Sequence, residues 1–598
     1  MAASPLHDKM DLPTFTVKVG GSAIKDYYQV TNITVEKEIN KISKAEVTLI
    51  DGNPADQNFE LSETEDFVPG NEIEIDMGYH SDESSVFQGI ITSQQIKVRS
   101  TRSKLLSVIT VKCSDKAIKL TSGRKSATYE EQTDSDVITS IISDAGLDKS
   151  VEASDYTHKK VVQFDCSDWD FILSRAEING FLAICEDGKL QVAPPALSGS
   201  AALELTYGVD VIDFQAELDA KSQYASVSCS GWDSTEKEVT NGVSEEPSGN
   251  DIGNISGKDL SSVLWSGKME MLTASPESTP VLKAWADAKL QKARLARITG
   301  YVTIPGSSLA KIGTLITLKG FGARFNGDAY ISKVVHTIES GNWTTYIGFG
   351  LSPEFFQETR KLESPPAAGL LPGVSGLHAG IVKQIHEDPD GEYRVLVDVP
   401  LMDASGDGIW ARMSSDYASS EVGNYFYPEV SDEVILGFLN EDPRFPVILG
   451  ALYGKKSKPP FTPDEENTKK GIKTKSELQL TFDEEKKEVV IQTPGGNVVT
   501  ISDDAKGITM EDQNGNKVEM NDSGITLDSS KDIKISAGGK CSISATSDID
   551  ISATGDASLT GNNVSAKANL ALSAEGTSQA SFKASGVLEV KGAMVNIN

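Results

Sequence analysis

The sequence has little of several features that mark common protein classes. Cysteine occurs 5 times in 598 residues, and no two cysteines form a C-x-x-C pair. Reduced thiols therefore fit the pattern better than a disulfide framework or a zinc site. No run approaches the roughly 18 apolar residues that a membrane span needs. Aromatic residues make up only 7%, which predicts that some of the structure is thinly packed.

Positive charge is also scarce. Lys and Arg number 56 against 87 Asp and Glu, which gives a net charge of −31. That sign repels phosphate backbones and disfavours nucleic-acid partners. The first residues lack a charged segment followed by an apolar stretch, so we expect no signal peptide. At roughly 100–200 residues per domain, the length predicts three to five domains.

Most of the sequence shows the alternation of apolar and polar residues that is typical of β-strands. Residues 1–120 contain alternating and β-branched segments that predict an antiparallel sheet or barrel. Two amphipathic helices follow, one capped near Thr133 and one between Ser167 and Gly180, and a hairpin turns at Asp187-Gly188. The polar, Gly/Ser-rich stretch 233–262 indicates a mobile insertion or a long loop, and a third helix is predicted near 277–298.

A compact all-β region lies between two linkers. One linker is predicted at 361–377, which is rich in Pro and Gly, and a second at 455–475, which is rich in Pro and Lys. Pro and Gly disfavour both helices and sheet ladders. Between them, five short apolar strands within 378–454 suit a small barrel of the OB-fold type.

The last segment shows a strict period. Apolar residues recur as i, i+2 pairs eight residues apart, such as Ile533/Ile535 and Ile549/Ile551. Residues i and i+2 of a strand share one face, and the intervening Gly, Asn, Asp and Ser turn the chain. Turns at Lys506-Gly507 and Asn514-Gly515 belong to a looser version of the repeat upstream.

Two apolar side chains per octad cannot bury themselves in an isolated chain, so neighbouring strands must complete the core. Three interwound chains, each giving one octad per face, match the period, whereas a plain antiparallel sheet of short hairpins is the alternative. In the first case the predicted core of the needle consists of Ile525, Leu527, Ile533, Ile535, Ile543, Ile549, Ile551, Leu559, Val564, Leu572, Phe582, Leu588 and Val590.

Several stretches resemble a known family. The segment Asp168-Trp-Asp-Phe-Ile-Leu-Ser-Arg-Ala-Glu-Ile-Asn-Gly180, within 162–180 and followed by Asp187-Gly-Lys-Leu190, is similar to the hub signature of the VgrG spike proteins. The stretches 410–412, 423–430, 432–434 and 438–450, the last ending in Pro443-Arg-Phe-Pro-Val-Ile-Leu-Gly450, are similar to their OB-domain signature. With the octads, the resemblance covers nearly the whole chain.

The resemblance implies a mainly β fold with two hub-like barrels, inserted helices, an OB-fold barrel and an intertwined trimeric triangular β-helix. The expected domains are a first barrel at 1–125, an inserted α+β subdomain at 126–200 and a second barrel at 201–360. The OB-fold at 378–454 and the needle at 476–598 follow the linkers at 361–377 and 455–475.

Function is likewise implied by the resemblance. The chain would be a homotrimeric central spike of a contractile injection system, either type VI secretion or an extracellular particle. Its partners would be a hexameric, Hcp-like inner tube protein, baseplate components and possible effector cargo. The spike would assemble in the bacterial cytoplasm and contact a target membrane transiently on injection, with no nucleic acid bound.

Departures from the family pattern shape the expectations for the tip. Only the linker at 455–475 lies where a lysozyme domain would precede the needle, and we expect no toxic domain after the needle and no His-x-His iron apex, since the last histidine is His386. Open strand edges are templates for another chain, so we expect Val595, Asn596 and Ile597 to dock a PAAR-like tip protein.

No catalytic motif stands out, so the sequence predicts no enzyme activity, no cofactor and no metal. His386-Glu-Asp-Pro-Asp-Gly391 and Asp512-Gln-Asn-Gly-Asn516 are interpreted as polar turns. Two alternatives remain open. A tail-spike enzyme acting on polysaccharide would need a groove with two positioned carboxylates, and an adhesin would bind a saccharide or protein through the OB-fold.

Overall fold

The structure is a computed structural model that describes residue 4 and residues 10–100, 105–249, 252–264, 267–402 and 405–597. It divides into two compact units, Met1–Ala451 and Leu452–Asn598. The fold is mainly β, as the sequence predicts.

The first unit carries most of the secondary structure. Its helices are α1 (Asp134–Asp144), α2 (Asp168–Ile178), α3 (Gly257–Leu264), α4 (Thr279–Leu295) and α5 (Phe356–Thr359). Its strands are β1 (Pro13–Val19), β2 (Ser22–Ala23), β3 (Val30–Glu38), β4 (Lys44–Ile50), β5 (Glu72–Tyr79), β6 (Asp82–Ser100), β7 (Leu105–Ser114), β8 (Lys125–Thr133), β9 (Asp148–Val151), β10 (Thr157–Cys166), β11 (Leu182–Glu186), β12 (Lys189–Ala193), β13 (Leu203–Thr206), β14 (Asp213–Leu218), β15 (Val227–Asp233), β16 (Glu238–Val243), β17 (Met269–Thr273), β18 (Ile298–Pro305), β19 (Leu315–Lys319), β20 (Gly327–Glu339), β21 (Asn342–Phe349), β22 (His378–Gln384), β23 (Val395–Asp398), β24 (Ile409–Met413), β25 (Ala418–Ser419), β26 (Val422–Gly423), β27 (Glu433–Phe438) and β28 (Pro446–Ala451).

One large sheet joins the N-terminal region to the region after the inserted helices. Its strand order is β14-β18-β21-β20-β3-β4-β7-β6-β5-β1-β2, with β19 added beside β20 and β13 beside β19. The junction is the antiparallel pair β3–β20, in which Val35 lies opposite His336. Two separate apolar cores form on this sheet, one around Phe67 and Phe87 and one around Tyr330. The regions for which the sequence predicts two barrels therefore share a continuous hydrogen-bonded ladder.

The inserted α+β region follows its sequence signals closely. Thr133 caps α1 in a capping box with Asp136, and the Ser167 hydroxyl accepts a hydrogen bond from the Asp170 amide at the start of α2. Gly180 follows α2 with φ of 69°, a left-handed conformation that glycine adopts without steric cost. The hairpin β11–β12 turns at Asp187-Gly188, as predicted.

The expectation of a loop at 233–262 is wrong. This stretch contains β16, which pairs with β15 so that Trp232 lies opposite Val239, and most of α3. A Cβ added at Gly242 would lie 2.2 Å from the Lys283 backbone nitrogen of α4. Glycine thus allows β16 to pack directly on a helix, and this tertiary contact overrides the loop-like composition.

The barrel predicted within 378–454 is confirmed. Strands β22-β23-β24-β28-β27 close on themselves around a core that includes Val397, Leu436 and Ile448. The short hairpin β25–β26 lies outside the closed ladder.

The second unit begins with an antiparallel meander. Its strands are β29 (Lys469–Lys473), β30 (Gln479–Asp483), β31 (Glu488–Gln492), β32 (Val498–Ser502), β33 (Gly507–Glu511), β34 (Lys517–Asn521) and β35 (Gly524–Asp528), paired in chain order. The predicted turns at Lys506-Gly507 and Asn514-Gly515 connect neighbouring strands of this meander. Between 529 and 597 the described single chain contains no strand ladder.

Candidate functional site: the apolar face of the second unit

The meander β29–β35 has one face that is apolar across all seven strands. Residues directly opposite each other in antiparallel strands point to the same side of a sheet. The pairing places Ile491 opposite both Leu480 and Val499, and the same register continues through every strand. One cross-strand row therefore consists of Ile472, Leu480, Ile491, Val499, Met510, Val518 and Leu527.

A second row lies two residues along each strand and so on the same side. On β30 to β35 it consists of Phe482, Val489, Ile501, Ile508, Met520 and Ile525, whereas Lys470 occupies this row on β29. We call the two rows together the apolar face. The opposite side of the sheet carries mostly polar residues, among them Thr481, Thr500, Thr509, Glu519 and Thr526.

The described residues of a single chain leave much of the apolar face exposed. Phe482 is 43% exposed, Ile501 49% and Ile491 53%. A sheet with one apolar side is stable when that side packs against another layer. Contiguous exposed apolar surface of this kind marks an interaction site, so the second unit is built to be buried by further protein.

The hairpins that set the register are held by local hydrogen bonds. The Asp512 carboxylate accepts hydrogen bonds from the backbone amides of Asn514 at 2.8 Å and Asn516 at 2.9 Å. Hydrogen bonds from the Asn516 side chain and from these amides lower the pKa of Asp512 to about 2. The Asp512 carboxylate oxygens thus accept hydrogen bonds within the turn, in agreement with the interpretation of 512–516 as a hairpin turn rather than a calcium loop.

The predicted needle-core residues all lie on the surface of the single chain. Ile525 and Leu527 belong to β35 and extend the apolar face, whereas the other eleven follow the last strand. The exposed fractions range from 52% for Ile549 to 83% for Ile551. Leu527 and Ile533 line a common groove of about 810 Å³ with Ile491, Val499 and Met510. The assignment of these residues to a needle core stays a prediction.

At the end of the chain, the proposed docking residues are also solvent-exposed. Val595 is 48% and Ile597 90% exposed, and Asn596 is exposed as well. Their role as a docking surface stays a prediction.

The upstream part of the apolar face was not predicted from the sequence. Leu480, Phe482, Val489 and Ile491 carry the same i, i+2 signature as the octads. Their strands are separated by hairpins of varying length, so the spacing is not a strict eight and the repeat is hidden. The detectable signal was alternation within each five-residue strand.

No alternative chemistry emerges from the polar clusters of the described residues. In the 386–391 turn, hydrogen bonds from the Arg394 guanidinium and backbone keep the pKa of Asp388 well below its usual range. Within the described ranges, no group of three or more His, Cys, Asp or Glu side chains could hold a metal ion. No described helix has the length and hydropathy of a membrane span.

Comparison with family profiles gives three matches along the chain. Residues 9–340, more than half of the chain, match the profile described as Alg8 N-terminal domain. Residues 378–453 match the type VI secretion system/phage-baseplate injector OB domain. Residues 488–598 match the phage baseplate V C-terminal trimerisation domain, which contains most of the apolar face and the whole octad segment.

Curated relatives match over short segments. The chain is 39% identical over 67 residues to the actin cross-linking toxin VgrG1 of Vibrio cholerae, covering 11% of this chain and 6% of the toxin. It is 29% identical over 119 residues to the type VI secretion system spike protein VgrG5 of Pseudomonas aeruginosa, covering 19% and 15%. The chain thus spans less than a quarter of the length of these relatives.

Among solved structures, two tail proteins match the chain at low sequence identity. The 43 kDa tail protein of prophage MuSo2 from Shewanella oneidensis is 13% identical, with 57% of this chain and 98% of that chain covered and a TM-score of 0.43. A tail protein from Neisseria meningitidis MC58 is also 13% identical, with 57% and 96% covered and a TM-score of 0.41.

Proposed function

This chain belongs to the family of the Alg8 N-terminal domain and is a VgrG-family spike protein, and we propose that it forms the homotrimeric central spike of a contractile injection system. In this role it connects the inner tube to a pointed tip, punctures target membranes and delivers effectors. The function is mechanical, and we assign no catalytic step to this chain.

The apolar face is the observation that carries the proposal. A sheet with one continuous apolar side needs a partner layer of the same kind. Three copies of the meander, arranged as the sides of a triangular prism, bury three identical faces against one another. The match to a trimerisation domain over 488–598 supports this arrangement.

The octad segment, residues 525–598, is proposed to continue the shared apolar core toward the end of the needle. Beyond β35, each octad offers two apolar side chains and the described residues form no intrachain ladder, so the ladder is completed by the other two copies. Ile533, Ile551, Leu572 and Leu588 are representative of the side chains that would then point at the shared axis. A closed prism has its ladder groups paired along its sides and can transmit axial force.

The two ends of the spike would meet different partners. At the tip, Val595, Asn596 and Ile597 are proposed to dock a PAAR-like cap that covers the open strand edges. At the other end, the N-terminal region would contact a hexameric, Hcp-like tube protein and baseplate components. The domain limits given above, assembly in the bacterial cytoplasm and carriage of effector cargo belong to the same proposal.

The test is the assembly state of the purified chain. We expect sedimentation equilibrium to give three times the chain mass at micromolar concentration. Ile551→Asp should abolish the trimer, because burying three charges around one axis costs several kcal/mol each. Ser552→Asp places the same charge on the neighbouring, outward position and is the matched control. A folded monomer with an ordered tail, or a trimer unaffected by Ile551→Asp, would contradict the proposal.

A further inference from the structure

The segment between α5 and the barrel, which includes the predicted linker at 361–377, is held in place at its start. The Glu358 carboxylate accepts two hydrogen bonds from the Lys289 ammonium of α4, at 2.7 and 2.9 Å. A little further along, the Ser364 hydroxyl donates to the Asp165 carboxylate of the inserted region. The first part of the segment is therefore fastened to α4 and to the inserted region.

The end of the same segment is held on the barrel. The Val374 amide donates to the Glu441 carbonyl oxygen at 2.8 Å. Glu441 belongs to the short turn Leu439–Glu441, which follows β27. A Cβ added at Gly373 would lie 2.3 Å from the Pro366 Cβ atom, so the chain folds back closely on itself here. A small folded contact thus connects the inserted region to the barrel.

Both sides of this contact carry residues in the left-handed backbone conformation. Ala367 has φ of 50° and ψ of 32°, and Ala368 has φ of 53° and ψ of 24°. On the barrel side, Asn440 and Glu441 have φ of 51° and 56°. Asparagine enters this region readily, whereas alanine and glutamate do so at a steric cost. Such a conformation persists only where the surrounding structure imposes it.

The contact that imposes this conformation is small. The Ala367 side chain is buried, and its carbonyl oxygen accepts a hydrogen bond from the Leu370 amide at 2.9 Å, whereas Ala368 is exposed. Among the described residues, the apolar cores of the barrel and of the inserted region contain no residue of 361–377. The contact can therefore open without exposing either core to water.

We propose that the turns Pro366–Gly369 and Leu439–Glu441, joined by the Val374 hydrogen bond, form a strained latch between the inserted region and the barrel. The closed latch fixes the barrel in one orientation. Opening returns the two alanines to ordinary backbone conformations and lets the barrel move while both cores stay folded. In the spike proposed above, this joint would yield under axial load before either core unfolds. The latch does not depend on that function, because its residues all belong to the first unit of one chain.

Hydrogen exchange of the Val374 amide in the full-length chain measures opening of the latch. Because Ala368 is exposed, the strain can be changed there in either direction without losing a buried contact. Ala368→Gly removes the steric cost of the left-handed conformation. Even with the added freedom of the open chain, we expect this amide to exchange about threefold to tenfold more slowly. Ala368→Val places a β-branched side chain in that conformation, and we expect exchange to be about tenfold faster.

The matched control is Ala379→Gly. Ala379 is exposed on β22 and does not have the left-handed conformation, so glycine relieves no strain there and exchange of the Val374 amide should not slow. Slower exchange in Ala368→Gly, faster exchange in Ala368→Val and no slowing in the control would support the latch. Any other pattern among the three variants would overturn it.

A further variant tests whether the latch opens by itself. Gly373→Val puts a side chain where the Pro366 Cβ atom lies only 2.3 Å from an added Cβ, so the closed latch cannot form. We expect the Val374 amide to lose its protection, while peptides from α2 and from the barrel strand β24 keep theirs. Loss of protection in all three places, or a chain that fails to fold, would show that the contact belongs to one cooperative core and would overturn the latch. Retained protection at Val374 would overturn it as well.

Discussion

Met510 and Val518 lie opposite each other on β33 and β34, on the apolar face of the meander, whereas their chain neighbours Thr509 and Glu519 lie opposite each other on the polar side. The two pairs occupy the same strands and differ only in which side of the sheet they face. Substitutions at the two pairs can therefore distinguish loss of burial in an assembly from disruption of the strands themselves.

That contrast defines the first prediction. Met510→Asp places a charge in the proposed trimer core and should destabilise the assembly by several kcal/mol per chain. Thr509→Asp introduces the same side chain at the adjacent position on the solvent side, and the trimer should survive. Sedimentation velocity at several concentrations measures both. Equal loss of trimer in the two variants would show that the strands, not the shared core, are being disrupted.

The cysteines provide the second prediction. Cys541 is exposed in the single chain, whereas Cys113, Cys166, Cys185 and Cys229 are buried. Cys541 and Ile543 form one of the octad pairs, so the proposed trimer hides this thiol.

We therefore expect the native assembly to react very slowly with a thiol-specific reagent at pH 8. The Ile551→Asp variant should release one reactive thiol per chain. The internal cysteines should stay silent in both, because burial raises the pKa of Cys113 and of Cys229 to about 12 and the thiolate is the reactive form. Rapid labelling of Cys541 in a confirmed trimer would contradict an inward-facing octad pair.

The third prediction concerns pH. The pKa of Asp512 is lowered to about 2 by hydrogen bonds from Asn516 and from backbone amides, against about 3.9 in an unfolded chain. Because the folded pKa is depressed, the stabilisation is complete above about pH 4 and is lost as the pH falls toward 2. Asp512→Asn keeps an acceptor oxygen and removes the titration.

Thermal unfolding of wild type and Asp512→Asn is compared at several pH values. We expect the difference in midpoint between the two proteins to be constant from pH 5 to 8 and to shrink below pH 4. A difference that stays constant down to pH 2 would contradict the assigned role of the carboxylate.

Much of the local structure was predictable because its signals are local. Two helix starts are predicted by their capping residues, Thr133 and Ser167. Two chain reversals are predicted by glycines, Gly180 and Gly515, within a few residues of the turn. The alternation of apolar and polar residues in the second unit likewise predicts a sheet with one apolar side. These features depend on spacing and on residue type, both of which the sequence displays.

Other features could not be predicted because the contacts that decide them are distant in the chain. β3 pairs with β20, some 300 residues away, with His336 opposite Val35, and nothing local marks either strand as a junction. β16 exists because Gly242 allows it to pack on α4, so its polar composition gives a misleading signal.

The last prediction concerns the buried ion pair in the inserted region. The Arg175 guanidinium donates two hydrogen bonds to the Asp134 carboxylate, with Nε–Oδ1 at 2.6 Å and Nη2–Oδ2 at 3.0 Å. Burial alone would raise the pKa of Asp134, but Arg175 and the Asn179 amide bring it below its usual value. Arg175→Ala leaves the buried carboxylate with only the Asn179 amide and the His158 ring as side-chain partners, and we expect a loss of about 3–5 kcal/mol in the free energy of unfolding because the cationic partner is gone.

The exposed pair Arg124–Asp165 is the matched control for this prediction, with its nitrogen and oxygen 3.3 Å apart and both side chains about 40% accessible. Arg124→Ala should cost about 0–1 kcal/mol, because water screens and replaces the interaction. Urea unfolding followed by circular dichroism measures both variants. The depressed pKa adds a directional test: the cost of Arg175→Ala should be full near pH 7 and should fall below pH 4, as Asp134 takes up a proton and no longer needs a counter-charge. A cost that is small at neutral pH, or that grows on acidification, would contradict the assignment of Arg175 as the group that keeps Asp134 ionised in the core.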